Sequence, residues 1–131
     1  MEDSPPLKET LLIVDDEPSV RELAADMLRS EGFKVLEASS GPEALEVCTA
    51  YQCKIDLLLT DLIMPGMTGR MLADILTARC VGLAVLFMSG YIDGTRSETM
   101  ERGVHFIEKP LDMDRLRSLI RDLLKQKNRP T

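Results

Sequence analysis

The sequence predicts an α/β fold, a five-stranded parallel sheet with helices on both faces, and three observations carry that prediction. Short runs of β-forming apolar residues alternate with helical stretches five times along the 131 residues. The first, third and fourth runs are continuously apolar, as strands covered on both faces must be. Such alternation gives a parallel sheet wound on both sides. The length suits one domain with a full core. The domain is expected over residues 10–127, behind a flexible lead-in at 1–9 and ahead of a frayed tail at 128–131.

The first strand is expected over 10–14, where TLLIV runs into Asp15 and Asp16. Pro18 stands where a first helical turn accepts proline. Val20, Leu23, Ala24, Met27 and Leu28 follow as one apolar stripe, and Gly32 closes the helix as a C-cap. A second strand covers 33–38. Ser40 and Glu43 form an S-x-x-E capping box before a helix striped by Ala44, Leu45, Val47, Cys48 and Tyr51. The third strand covers 55–60, with Asp56 at its mouth. The turn DLIMPGMTG leads to a third helix striped by Met71, Leu72, Ile75 and Leu76. The fourth strand is expected over 83–88, a fourth helix with a thin apolar face over 98–102, and the fifth strand over 104–107. Asp112 caps the last helix, whose stripe is Leu116, Leu119, Ile120, Leu123 and Leu124.

Composition narrows the function. Charged residues make up 29% of the chain and the net charge is −6, so no basic stripe is offered to nucleic-acid phosphates. No apolar run reaches membrane-spanning length. Cys48, Cys53 and Cys80 contain no C-x-x-C pair and read as reduced thiols of a cytoplasmic protein. The single histidine, His105, lies mid-strand and reads as structural.

In a parallel sheet the ligand site lies beyond the carboxyl ends of the strands. Asp15 and Asp16 follow the first strand, Asp61 the third, Ser89 the fourth, and Lys109-Pro110 the fifth. Three carboxylates in one crevice repel each other unless a cation neutralises them. Hard oxygen donors select a hard cation such as Mg²⁺. The turn DDEPS is the opposite of a glycine-rich phosphate cradle, and no GxGxxG or GxxxxGK[ST] occurs. A carboxylate nucleophile, a metal, a lysine and a hydroxyl together make a phosphoryl-transfer set. Singly, Asp15 or Asp16 reads as a helix cap, and Phe106 reads as core; the pair Asp15 and Asp16 together with Asp61 reads as a site.

On the DD pair, TDLIMPGMTG, MSGY and FIEKP, the chain resembles the receiver domain of two-component response regulators over about residues 10–125. MSGY and FIEKPL resemble receivers of hybrid histidine kinases in particular, so the chain is expected to be a single-domain receiver or a piece of a larger kinase. The resemblance implies a flavodoxin-like sheet of order 2-1-3-4-5. It implies Asp61 as acceptor of a phosphoryl group from a histidine kinase or histidine phosphotransfer protein. Asp16 would ligate Mg²⁺ directly, Asp15 more weakly or through water, and the Ile63 carbonyl would complete the protein ligands. Ser89 and Lys109 would contact phosphoryl oxygens, and Lys109-Pro110 would be cis. Ser89 and Phe106 would form the switch, acting on a downstream partner through the face of the fourth helix, fifth strand and fifth helix. Ile63 and Tyr91 would flank the hydrolytic water's approach and make loss of the phosphoryl group slow. Neither nucleic acid nor membrane is an expected direct partner. Carboxylate repulsion also predicts that neutralising Asp16 stabilises the metal-free protein.

The alternative is a Mg²⁺-dependent phosphohydrolase of small molecules working through an aspartyl phosphate. It would need a general acid near the nucleophile, but Leu62 and Ile63 follow Asp61. Its short loops also offer no lid.

Overall fold

The computed structural model describes residues 9–90 and 105–127. Its strands are β1 (Thr10–Val14), β2 (Lys34–Ala38), β3 (Leu57–Asp61), β4 (Ala84–Ser89) and β5 (Phe106–Glu108). The described helices are α1 (Pro18–Ser30), α2 (Gly41–Ala50), α3 (Gly69–Arg79) and α4 (Met113–Lys127). The last of these is the helix expected fifth from the sequence. The helix expected over 98–102 lies outside the described residues, as do Tyr91, the start of the fifth strand at Val104, and the tail at 128–131.

All strands pair in parallel, in the order β2-β1-β3-β4-β5. Alternation along β1 divides the core into two layers. Leu11 and Ile13 pack with α1, α4 and Leu57, Leu59 and Met88. Leu12 and Val14 pack on the other face with α2, α3 and Leu58 and Phe87. Each of the four β1 residues from Leu11 to Val14 is fully buried, which stabilises by roughly 1.5–3 kcal/mol per side chain relative to exposure. Asp56, at the mouth of β3, secures the start of β1: its carboxylate accepts from the Thr10 N–H (2.9 Å), and its own N–H donates to the Thr10 carbonyl (2.8 Å).

Helix boundaries follow from local chemistry. α1 opens on Pro18 and ends with Gly32 at φ 101°, a left-handed position that glycine adopts without steric cost. There the Gly32 N–H donates to the Arg29 carbonyl and the Phe33 N–H to Leu28, the paired bonds of a Schellman end. Ser40 caps α2, its hydroxyl accepting from the Glu43 N–H at 3.2 Å. The return arm of the box lands one residue early. Glu43 accepts from the N–H and hydroxyl of Ser39 (2.6 and 2.7 Å), and these bonds hold its carboxyl below the usual range. Thr68 caps α3 and Asp112 caps α4.

Two helices present their faces with a small rotation from the expected stripes. Leu23 is 58% exposed while Ala25 is buried, and Met71 is 51% exposed while Ala73 is buried. Small side chains let the helix approach the sheet closely, so alanine takes the inward position and the larger neighbour moves to the rim.

Candidate functional site

The site grows from the strand ends. Asp15 extends β1 by one residue, its N–H donating to the Ala38 carbonyl at 3.2 Å. Its carboxylate is fully buried. Oδ1 accepts from the Glu17 N–H (2.9 Å), turning the chain into α1 at Pro18. Arg21 donates to the Asp15 carbonyl at 2.7 Å. Arg21 is itself held by Glu37 of β2 at 3.2 Å, and Arg29 grips the same Glu37 at 3.1 Å. This brace fixes the backbone that carries the first carboxylate.

Asp61 is the last residue of β3 and is 7% exposed. The Leu62 N–H donates to the Met88 carbonyl (2.8 Å), and Gly69, the first residue of α3, donates to the Leu62 carbonyl (2.9 Å). A Cβ on Gly69 would lie 2.0 Å from the Asp61 carbonyl oxygen, so only glycine lets α3 begin this close to the site.

Carboxylate oxygens of Asp15, Asp16 and Asp61 lie within 4.8 Å of one another. Asp15 and Asp61 are buried and Asp16 is exposed. Lys109, just beyond β5, reaches into the group. Its Nζ is 2.9 Å from Asp15 Oδ2, 3.3 Å from Asp61 Oδ2 and 3.6 Å from Glu17 Oε1. Asp15 Oδ2 takes no well-directed hydrogen bond besides that ion-pair contact. The Lys109 N–H donates to the Ser89 carbonyl at 2.8 Å, tying the ends of β4 and β5 together. Ser89 is buried, and the Lys109–Pro110 peptide is cis.

Electrostatics follow from this packing. Burial pushes the Asp61 carboxyl up; Lys109 opposes the shift and the Asp15 charge adds to it. Burial alone would pull the Lys109 ammonium down. The hydrogen bond and charge of Asp15, with those of Asp61, outweigh burial and hold it above the ordinary value. The three clustered carboxylates, with Glu17 beside them, outnumber the one ammonium that reaches them, and every donor is an oxygen. The residues therefore fit a hard divalent cation. Because Asp16 is in solvent, its charge is largely screened. The Asp15 charge acts on Asp61 from within the buried pair, and the Asp16 carboxylate completes the same cluster from the solvent side.

The other sequence-predicted residues stand as follows. Ile63 is 75% exposed, and its N–H faces the Asp61 carboxylate. Phe106 is buried, its ring 5.6 Å from that of Phe87 and inclined 33° to it. Tyr91 lies outside the described residues. Sequence reasoning missed Glu17, the Arg21–Glu37–Arg29 brace and the role of Gly69. Glu17 could have been found as the third acid of DDE. Arg21 and Glu37 pair across 16 residues, with no local signal to announce them.

Comparison with known proteins gives one family. The family model of the response regulator receiver domain matches residues 11–121. Sporulation initiation phosphotransferase F of Bacillus subtilis is 30% identical over 125 residues, covering 93% of this chain and 98% of that protein. Sensor kinase CckA of Brucella abortus is 31% identical over 121 residues, covering 91% of this chain. The chain spans only 13% of that kinase and 26% of the Escherichia coli transcriptional regulatory protein GlrR. Among solved structures, the receiver domain of the hybrid histidine kinase CckA is 36% identical with a TM-score of 0.74, covering 88% of this chain and 98% of that one. A receiver domain from Clostridium thermocellum is 26% identical with a TM-score of 0.79, covering 91% and 96%. The small-molecule phosphohydrolase reading is not supported.

Proposed function

Since the chain belongs to the response regulator receiver domain family, we propose that Asp61 accepts a phosphoryl group from the phosphohistidine of a histidine kinase or histidine phosphotransfer protein. One observation supports this above the others: a single ammonium, Lys109, touches the two buried carboxylates that close β1 and β3. Asp61 attacks phosphorus as its carboxylate, the P–N bond breaks, and the imidazole takes a proton as it leaves. Lys109 passes from the Asp61 carboxylate to a phosphoryl oxygen, so its charge stays compensated throughout. The Ser89 hydroxyl donates to a second phosphoryl oxygen. Asp15, Asp16, Asp61 and the Ile63 carbonyl would hold Mg²⁺, which when bound neutralises charge on the transferring group.

Switching follows from the same contacts. Movement of Ser89 toward the phosphoryl group opens space beside Phe106. The Phe106 ring, buried against Phe87, turns inward into that space, so phosphorylation acts by shifting a two-state equilibrium. The surface of β5 and α4, with the helix expected over 98–102, carries the change to a downstream partner. The module works in the cytoplasm without contacting nucleic acid or membrane itself; no helix among the described residues is long and apolar enough to cross a membrane.

The deciding experiment is Mg²⁺-dependent labelling by a small acyl phosphate. Wild type is expected to take up one phosphoryl group per chain, and labelling is expected to disappear when EDTA is added. A label that resists EDTA, or maps away from Asp61, overturns the assignment.

A further inference from the structure

At the opposite edge of the sheet, where the strands begin, Cys48 and Cys53 meet the sequence-distant Cys80. Cys48 lies in the last turn of α2, Cys53 in the connection to β3, and Cys80 just after α3. The Cys48 Sγ is 3.6 Å from that of Cys53 and 3.3 Å from that of Cys80, and all three lie within 4.8 Å. Cys48 and Cys80 are buried, while Cys53 is partly exposed and forms the mouth.

The backbone goes out of its way to build this group. The Gln52 and Cys53 N–H groups bond the Thr49 and Cys48 carbonyls, the two closing bonds of a Schellman end. Such an end needs one left-handed residue. Here Gln52 (φ 56°) and Cys53 (φ 60°) are both left-handed, and neither is glycine. Left-handed backbone costs an L-residue roughly 1–2 kcal/mol. The turn brings the Cys53 sulfur onto Cys48. An apolar contact at this place is ordinary in Schellman ends, but it needs neither a thiol nor the second left-handed residue.

We propose that Cys48, Cys53 and Cys80 form a three-sulfur site for a soft monovalent ion of the Cu(I) class. Thiolates select soft ions such as Cu(I) over the hard cations that suit oxygen sites. Metal–sulfur bonds of about 2.3 Å arranged in a trigonal plane place the sulfurs about 4.0 Å apart, within the span of this group. Donor number separates Cu(I) from zinc. A structural zinc site closes with four protein ligands. Here there are three sulfurs, and the oxygen beside Cys53 is the Arg79 carbonyl, which already accepts from that thiol at 3.8 Å. On binding, each ligating S–H loses its proton to the buffer, and the ion is neither oxidised nor reduced.

The test uses the full chain, reduced and held without oxygen. Cu(I) is supplied as its coloured bathocuproine disulfonate complex, and Zn(II) is titrated in parallel with a zinc indicator. The expected result is withdrawal of one Cu(I) per chain, with a near-ultraviolet thiolate-to-copper band. Cys53→Ser, at the partly exposed position, is expected to weaken retention by at least about 100-fold, beyond the usual loss for an outer-shell partner. Circular dichroism checks that this variant is folded, and Mg²⁺-dependent labelling at Asp61 is expected to be unchanged in it. No copper withdrawn, equal retention by folded Cys53→Ser, or tighter binding of Zn(II) overturns the proposal.

Discussion

The two edges of the sheet carry clusters of equal size and opposite chemistry. At the carboxyl edge Asp15, Asp16 and Asp61 gather within 4.8 Å; at the amino edge Cys48, Cys53 and Cys80 do the same. Burial acts on both, but with different results. It pushes Asp61 up, yet Lys109 stands between the two buried carboxylates and shares their charge. It pushes the Cys48 and Cys80 thiols up too, and the Arg79 charge opposes this only at Cys48 and less strongly than burial, so the thiols keep their protons. A buried cluster can therefore be tolerated by a built-in counter-charge or by keeping its protons. On the proposed function the first solution leaves a carboxylate available as nucleophile, and the second leaves a quiet set of soft donors.

The sharpest way to break this contrast is to neutralise one edge at a time. Asp61→Asn is expected to abolish Mg²⁺-dependent phosphoryl labelling, measured with radiolabelled acyl phosphate. Full labelling of that variant would remove the distinction between a reactive and a quiet edge.

Backbone packing supplies the next largest effect. Gly69→Ala drives a methyl group into the Asp61 carbonyl. It is expected to cost about 3 kcal/mol in urea unfolding and to slow labelling by displacing the Asp61 turn. A loss under 0.5 kcal/mol would mean that α3 can slide away freely.

The lifetime of the phosphoryl group is expected to depend on the side chains that flank the water's approach. Ile63 is exposed beside the site and offers no side-chain hydrogen bond to a water. Ile63→Asn together with Tyr91→Glu is expected to speed loss of the group ~10-fold, a barrier change of about 1.4 kcal/mol. Decay after donor removal in excess Mg²⁺ measures it, and an unchanged rate in the double variant assigns control elsewhere.

Proton linkage offers a smaller, signed effect. Asp61 has a raised folded value, so its ionised form costs stability at pH above that value, and the cost is relieved as pH falls through it. Without Mg²⁺, Asp61→Asn is expected to be more stable than wild type at pH 7 by about 1 kcal/mol. The gain should shrink as pH falls through the raised value toward 3.8. Lys109 contributes in the opposite sense. Its raised value stabilises fully below 10.5, and that contribution is lost as pH rises through the higher folded value. Urea midpoints across pH would show a constant offset if Asp61 were not strained.

At the amino edge the smallest change is expected from Gln52→Gly. Relief of a left-handed residue, set against glycine's greater freedom when unfolded, leaves a gain of about 0.5 kcal/mol. A loss on thermal melting would show that the Gln52 side chain, and not the turn, holds this corner.

How much of this was legible follows from where each residue sits. Asp15, Asp61, Ser89 and Lys109 each stand at or just past a strand end, so strand periodicity alone brought them to one edge. The parallel sheet was legible because β1 and β3 each hold an unbroken apolar run, Leu11 to Val14 and Leu57 to Leu59. Leu23 and Met71 misled because a helical stripe has two borders and size decides which is buried. The cysteine group was not legible. Cys48 and Cys53 are joined only by a two-residue left-handed turn without glycine, and Cys80 arrives from another helix. The Glu37 brace was hidden for the same reason, since its partners lie on two turns of α1.

The ends of β4 and β5 are joined by the Lys109 amide and the Ser89 carbonyl, both main-chain groups. Side-chain replacement at either position leaves both partners in place; only proline at 109 removes the donor. The spacing of the two loops is therefore insulated from sequence drift. A lineage can exchange the hydroxyl at 89 for another small group, or vary the residues around it, and still present position 109 at the same height above the sheet. Chemistry at this edge can diversify one side chain at a time while the frame that positions it is inherited whole.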